Sequence, residues 1–188
     1  MEKYVNHPKC IAIGECGLDY FRLPEDEFEK QENIKKQKEV FIAQIEFAKK
    51  VKKPLIVHIR EASNDSRQIL VDYNAKEVGG VLHCYNASEH LLILAEHNFY
   101  FGIGGVLTFK NAKKLVEVLP KIPKDKLLIE TDAPYLTPHP HRGERNEPYY
   151  TVFVAQKMAE LLEINEDEIQ KLTTNNAKKL FKEFSSLS

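Results

Sequence analysis

The chain has 188 residues, 43% of them hydrophobic, enough to bury a core and most simply one domain over residues 1–188. Lys plus Arg number 27 against 28 for Asp plus Glu, so a nucleic-acid partner must be met by local basic groups rather than by a global field. No apolar run approaches the ~18 residues of a membrane span, and the N-terminus lacks the apolar core of a signal peptide. The three cysteines, Cys10, Cys16 and Cys84, contain no CxxC pair and are expected as reduced thiols in a cytoplasmic protein with no membrane partner.

In chain order, residues 1–9 are a polar lead-in and residues 10–14 read as a buried strand. Directly after it comes Glu15-Cys-Gly-Leu-Asp-Tyr20, a loop with two acids and a glycine. Pro24 and the acids Glu25 to Glu27 open a helix, with Ile34, Phe41, Ile45 and Ala48 striping one face to about Val51. A second apolar strand at 55–57 delivers His58 and Arg60, and a helix over 65–73 is expected, capped by Ser63 or Asn64. Val81 and Leu82 form a short strand before His83, Ser88 caps a helix to about His97, and residues 99–103 form a strand ending in Gly104 and Gly105. A helix over 111–119 leads to the strand 127–129, which runs into Glu130, Thr131 and Asp132 before Pro134 stops it. Residues 138–148 are a polar loop without periodicity. Val152, Ala155, Ala159 and Leu162 then stripe a helix, and two short helices are expected at 166–172 and 175–184.

Strand, polar loop and helix thus alternate five times, with nearly all-apolar strands. That pattern calls for a parallel α/β sheet covered by helices, with reactive groups beyond the C-terminal ends of its strands. Glu15, His58, His83 and Asp132 all fall there. Acids and imidazoles gathered at buried strand ends are costly unless something pairs with them, and together they are the ligand types of a divalent hydrolytic site. In such a site Asp132 orients or deprotonates the attacking water, Glu15 is placed to bridge cations, and Glu130 and Asp19 are outer-sphere partners. Arg60, with Arg142 and Arg145 in the polar loop, suits a phosphate ester. Tyr20 and Tyr135 suit stacking on bases. His139 and His141 have an HxH spacing, but Pro140 between them and the loop setting favour solvent exposure over metal ligation.

Several ordered segments resemble the TatD family of metal-dependent deoxyribonucleases: Ile13-Gly-Glu-Cys-Gly-Leu-Asp-Tyr20, Pro54-Leu-Ile-Val-His-Ile-Arg60, Leu82-His-Cys-Tyr85, Leu128-Ile-Glu-Thr-Asp-Ala-Pro-Tyr-Leu-Thr-Pro138 and Arg142-Gly-Glu-Arg-Asn-Glu-Pro148. Thr174-Asn-Asn-Ala177 with Leu180 and Phe181 resembles the family's closing helix. The resemblance implies a TIM-barrel (β/α)8 hydrolase that cuts DNA, typically exonucleolytically, with two divalent cations per site, and it matches Glu15, His58, His83 and Asp132 to metal ligands. The family begins with a strand carrying a His-x-His pair, and nothing like it precedes Glu15. A full barrel needs eight strands and about 250 residues. The expectation is therefore an N-terminally truncated barrel with about five strands, one or two cations, and sheet edges open to self-association. A metal-dependent hydrolase of a small ester or amide is the alternative function, and a catalytically silent remnant is the alternative of another class.

Overall fold

The computed structural model describes residues 3–182. Its sheet has five parallel strands in the order β1 (Ile13–Asp19), β2 (Leu55–Arg60), β3 (Gly80–Leu82), β4 (Phe99–Ile103) and β5 (Leu127–Ile129). The five-strand parallel α/β architecture expected from the sequence is thus present. Five α-helices accompany the strands: α1 (Glu27–Val51), α2 (Ser63–Asp72), α3 (Lys113–Val118), α4 (Thr151–Leu162) and α5 (Glu166–Leu180).

Alternation along each strand builds two layers of packing. Leu55, Val57, Leu82, Phe99, Phe101, Ile103 and Leu127 belong to the main core, closed by Phe41, Ile45 and Ala48 of α1, Ile69 and Leu70 of α2, and Val154, Ala155 and Met158 of α4. On the other face Val81, Tyr100 and Leu128 make a smaller cluster with Leu180 of α5. His58 alternates with Val57 and Ile59 along β2, and His83 continues beyond the buried Leu82 of β3. The alternation that buries the core therefore turns both imidazoles to the opposite face.

Several boundaries differ from the sequence expectation. The first strand begins at Ile13 rather than Cys10, so Glu15 lies within β1 instead of after it. The pairing with β2 is irregular between Ile13 and Cys16, and then runs Gly17 against His58 and Asp19 against Arg60. Gly17 has φ +142°, and a Cβ there would lie 2.0 Å from the His58 carbonyl oxygen. Close backbone approach at Gly17, together with buried Cys16 and Leu18 alternating with Gly17 and Asp19, makes 16–19 a strand. Helix α2 begins at Ser63, which puts Ala62, a residue with no polar side chain, at the cap position, and the Ser63 hydroxyl accepts from Asn86 Nδ2 at 3.1 Å. Residues Glu89–His97 form a 3-10 rather than an α-helix, and Ser88 makes no side-chain cap bond. The two short C-terminal helices are one helix, α5, and residues 183–184 of the second lie outside the described residues.

Asn176 fixes that helix to the sheet. It is 1% exposed, and its Nδ2 donates to the carbonyls of Lys124 at 3.0 Å and Leu127 at 2.9 Å. Asn176→Ala leaves both acceptors without their donor, at about 1–3 kcal/mol each. The variant is expected to unfold at clearly lower urea concentration than the wild type, with an unchanged dependence on denaturant.

Candidate metal centre

Strand register brings the predicted donors to one place. Val57 pairs with Leu82, so His58 and His83 are level on neighbouring strands, and the His83 amide donates to the Val57 carbonyl at 2.9 Å. Gly17 pairs with His58, which puts Glu15 of β1 beside them. Glu15 Oε1 lies 3.0 Å from His58 Nδ1 and 3.9 Å from His83 Nε2, and Asp132 Oδ1 lies 3.4 Å from the same His83 nitrogen.

The remaining nitrogen of each imidazole is held by a further carboxylate. Asp19 Oδ2 sits 3.1 Å from His58 Nε2, and Glu130 Oε2 contacts His83 Nδ1. Glu130 reaches His83 from the strand β5 side across β4, and it does so over glycines. A Cβ on Gly104 would lie 2.5 Å from Glu130 Oε1, and one on Gly102 3.3 Å from Glu130 Cγ. The Cys84 amide donates to Glu130 Oε2 at 3.2 Å, while the buried Oε1 has no hydrogen-bond partner among the described residues.

The donor set fits a divalent cation. Ligands bonded at about 2.0–2.2 Å stand roughly 3.0–3.5 Å from one another. The His58–Glu15 and His83–Asp132 separations, 3.0 and 3.4 Å, lie in that range. Outer carboxylates that orient the imidazoles are the usual support of such ligands. Among the described residues no trio of His, Cys, Asp or Glu has the geometry of a finished ion cage. The chemistry of the set, rather than its present closure, argues for metal.

Electrostatics agree with mutual dependence. The hydrogen bond to Glu130 is the main cause that raises the His83 pKa to about 9, against the opposing effect of burial. Burial raises the Asp132 carboxyl above its ordinary value, partly offset by His83. Burial also pushes at Asp19, but hydrogen bonds from the Phe21 amide and His58 outweigh it and hold that carboxyl low. The Cys84 thiol beside the site is pushed up to about 12, by burial first and by Glu130, Asp132 and Glu15 next. It is therefore no thiolate nucleophile at neutral pH.

Asp132 itself sits at φ +51° and Cys84 at φ +43°. Such left-handed non-glycine residues cost about 1–2 kcal/mol each and need support. The Asp132 turn has it: the Tyr135 amide donates to the Asp132 carbonyl at 2.9 Å, and buried Asn146 donates to the carbonyls of Thr131 and Tyr135, both at 2.6 Å. Asn146 went unassigned in the sequence, where it stands in a polar loop and carries no signal beyond its place in a family-like segment.

The cleft over the donors encloses about 580 Å³ and is bordered by Arg60, Asn111, Lys114 and Tyr135 as well as by Glu15, His58, His83 and Asp132. Arg60 is the arginine that borders it. The Arg142 guanidinium lies 4.2 Å from the Phe109 ring centroid, and Arg145, with its side chain 77% exposed, faces Glu147 at 3.4 Å. His141 stacks on Tyr150 with ring centroids 4.4 Å apart and contacts Glu144, and His139 meets Phe109 edge-on, so this HxH pair fastens the loop. Tyr20 is tied by its hydroxyl to Asp65 at 2.8 Å. Lys114 and Asn111 were not singled out in the sequence. A basic residue at the helix start after the fourth strand was the available signal.

A parallel α/β sheet with imidazoles and carboxylates gathered at one end of its strands, Glu15 and His58 within β1 and β2 and His83 and Asp132 beyond β3 and β5, is the framework of the metal-dependent hydrolases. The chain belongs to the TatD-related DNase family, whose profile matches residues 1–182. It is 49% identical over 179 residues to a Bacillus subtilis protein named uncharacterized metal-dependent hydrolase YabD, covering 94% of this chain and 67% of that protein. With the Escherichia coli protein named uncharacterized metal-dependent hydrolase YcfH it shares 39% identity over 172 residues, covering 91% of this chain and 62% of the relative. The chain thus spans about two thirds of the length of these curated relatives. Among solved structures, the Escherichia coli TatD homologue YjjV superposes with a TM-score of 0.80 at 28% identity, over 91% of this chain and 63% of that one. A TatD family hydrolase from Entamoeba histolytica, at 24% identity and a TM-score of 0.74 over 96% of this chain and 65% of that one, shares the fold. No helix among the described residues is long and apolar enough to cross a membrane.

The His83–Glu130 contact gives a signature for the protein in EDTA. A histidine raised to about 9 contributes stability that is fully present below the unfolded value near ~6.5 and is lost as pH rises through about 9. The melting temperature in EDTA is expected to fall across that window. Glu130→Gln removes the charge partner and should flatten the fall, which paired thermal melts at pH 6 and pH 9 would read.

Proposed function

We propose that the chain is a divalent-metal-dependent hydrolase of DNA phosphodiester bonds. The observation that carries the reading is a single cleft in which Glu15, His58, His83 and Asp132 converge and which cationic side chains, Arg60 and Lys114, also border. The family's name and the metal-dependent hydrolase names of the relatives support it.

When bound, a divalent cation supplies Lewis acidity toward a phosphoryl oxygen and acidifies a water. Glu15, His58, His83 and Asp132 are the residues that would hold it. Glu15 stands between the two imidazoles and is the group suited to serve both. Asp19 and Glu130 keep the imidazoles oriented, each fixing one ring nitrogen and leaving the other for the centre. Asp132, raised by burial, accepts the proton from the attacking water more readily than an ordinary carboxylate does. Arg60 holds a non-bridging phosphate oxygen and Lys114 a neighbouring phosphate. Arg142 and Arg145 take part only by releasing Phe109 and Glu147. A small neutral ester or amide would use the same centre but leave these cations without a partner, so the polyanionic substrate is preferred.

The test is cleavage of end-labelled single-stranded DNA with Mg²⁺ or Mn²⁺. The wild type is expected to cleave, EDTA to abolish cleavage, and Asp132→Ala to lower the rate by about 10²–10⁴-fold, as loss of a general base does. Cleavage that survives EDTA, or none above the Asp132→Ala background, overturns the nuclease reading.

A further inference from the structure

Beside the cleft over the donors lies a second hollow, bordered by Asp19, Phe21, Arg22, Asn33, Arg60 and Tyr135. Arg60 and Tyr135 border both spaces, so the second hollow adjoins the metal centre's cleft. Its aromatic walls are open. Phe21 is 44% exposed and Tyr135 is 71% exposed, where large apolar side chains of a core would be covered. The Arg60 guanidinium carbon lies 3.5 Å from the Phe21 ring centroid, close enough that it must sit over the ring face. Arg22 approaches the same ring at 5.7 Å. An arginine held flat on a ring keeps its N–H edge for phosphate, and the ring and guanidinium together form a stacking platform.

The hollow is also held in register with the chemistry. One Asp19 oxygen faces His58 Nε2, and the other accepts the Phe21 amide at 2.9 Å. The Asp19 amide donates to Gln37 Oε1, and Gln37 Nε2 returns a bond to the Asp19 carbonyl, both at 2.9 Å. Helix α1 thereby fixes the residue that joins an imidazole of the metal centre to Phe21.

The geometry points to a nucleobase subsite here: the unpaired base next to the scissile phosphate stacks on the Phe21–Arg60 platform beside Tyr135, while Arg60 holds the phosphate. This rests on the nucleic-acid reading of the centre. Stacking is sequence-tolerant and needs a base free of its own stacking neighbours. Tyr20, the neighbouring aromatic, is spent on Asp65, which leaves this role to Phe21.

The test is binding rather than turnover. Fluorescein-labelled oligothymidine and an abasic oligomer of equal length are titrated by anisotropy in EDTA at low salt, against wild type, Phe21→Ala and Phe21→Tyr. The wild type is expected to prefer the base-bearing strand by about tenfold, Phe21→Tyr to keep that preference, and Phe21→Ala to lose it. Equal binding of both probes by the wild type, binding of neither, or a preference retained by Phe21→Ala overturns the subsite. Metal-dependent cleavage is measured separately on the wild type. A base preference without cleavage removes the nuclease reading and leaves the subsite, and cleavage without a base preference does the reverse.

Discussion

Two imidazoles pinned by carboxylates define the C-terminal end of this sheet. His58 is caught between Glu15 and Asp19, and His83 between Glu130 and the pair Glu15 and Asp132. Four acids confined around two histidines repel one another unless positive charge is present, and the raised His83 value is the mark of that demand. A proton on His83 meets part of it. A divalent cation among the same donors would meet more, because it serves several carboxylates at once.

That constraint reaches outward into the fold. Glu130 can contact His83 only because β4 offers Gly102 and Gly104 where side chains would block the path. Asp132 can approach only from a left-handed turn, and Asn146 holds that turn by gripping its carbonyls from the polar loop. Asp19 can orient His58 only because β1 runs close beside β2, which Gly17 permits. Residues that look like punctuation in the sequence are thus the conditions under which the charged groups meet.

The architecture and the convergent donors were legible because apolar strands of a parallel sheet read directly from composition, and because four of the five end near an acid or a histidine. The start of β1 was not legible. Its pairing slips between Ile13 and Cys16, where Gly14 and Glu15 are both exposed and interrupt the alternation. Ser63 and Ser88 look like caps in the sequence, yet the Ser63 hydroxyl goes to Asn86 and Ser88 makes no side-chain cap bond. The arginines show the same limit. Spacing marks Arg60, Arg142 and Arg145 alike, but only the fold sends Arg142 onto Phe109 and leaves Arg60 on Phe21 beside the cleft. Phe21 lacked any local pattern to set it apart.

The central claim is that Glu15, His58, His83 and Asp132 act together as a divalent-metal centre, and direct metal binding tests it without reference to any substrate. Titration of the wild type with Mn²⁺, followed by loss of the free-ion signal in electron paramagnetic resonance, should show saturable uptake. Glu15→Gln, which keeps the size of the side chain and removes its charge from between both imidazoles, should greatly weaken that uptake while leaving the fold intact by circular dichroism. A wild type that takes up no Mn²⁺, or a folded Glu15→Gln variant that binds it as tightly as the wild type, would contradict the account.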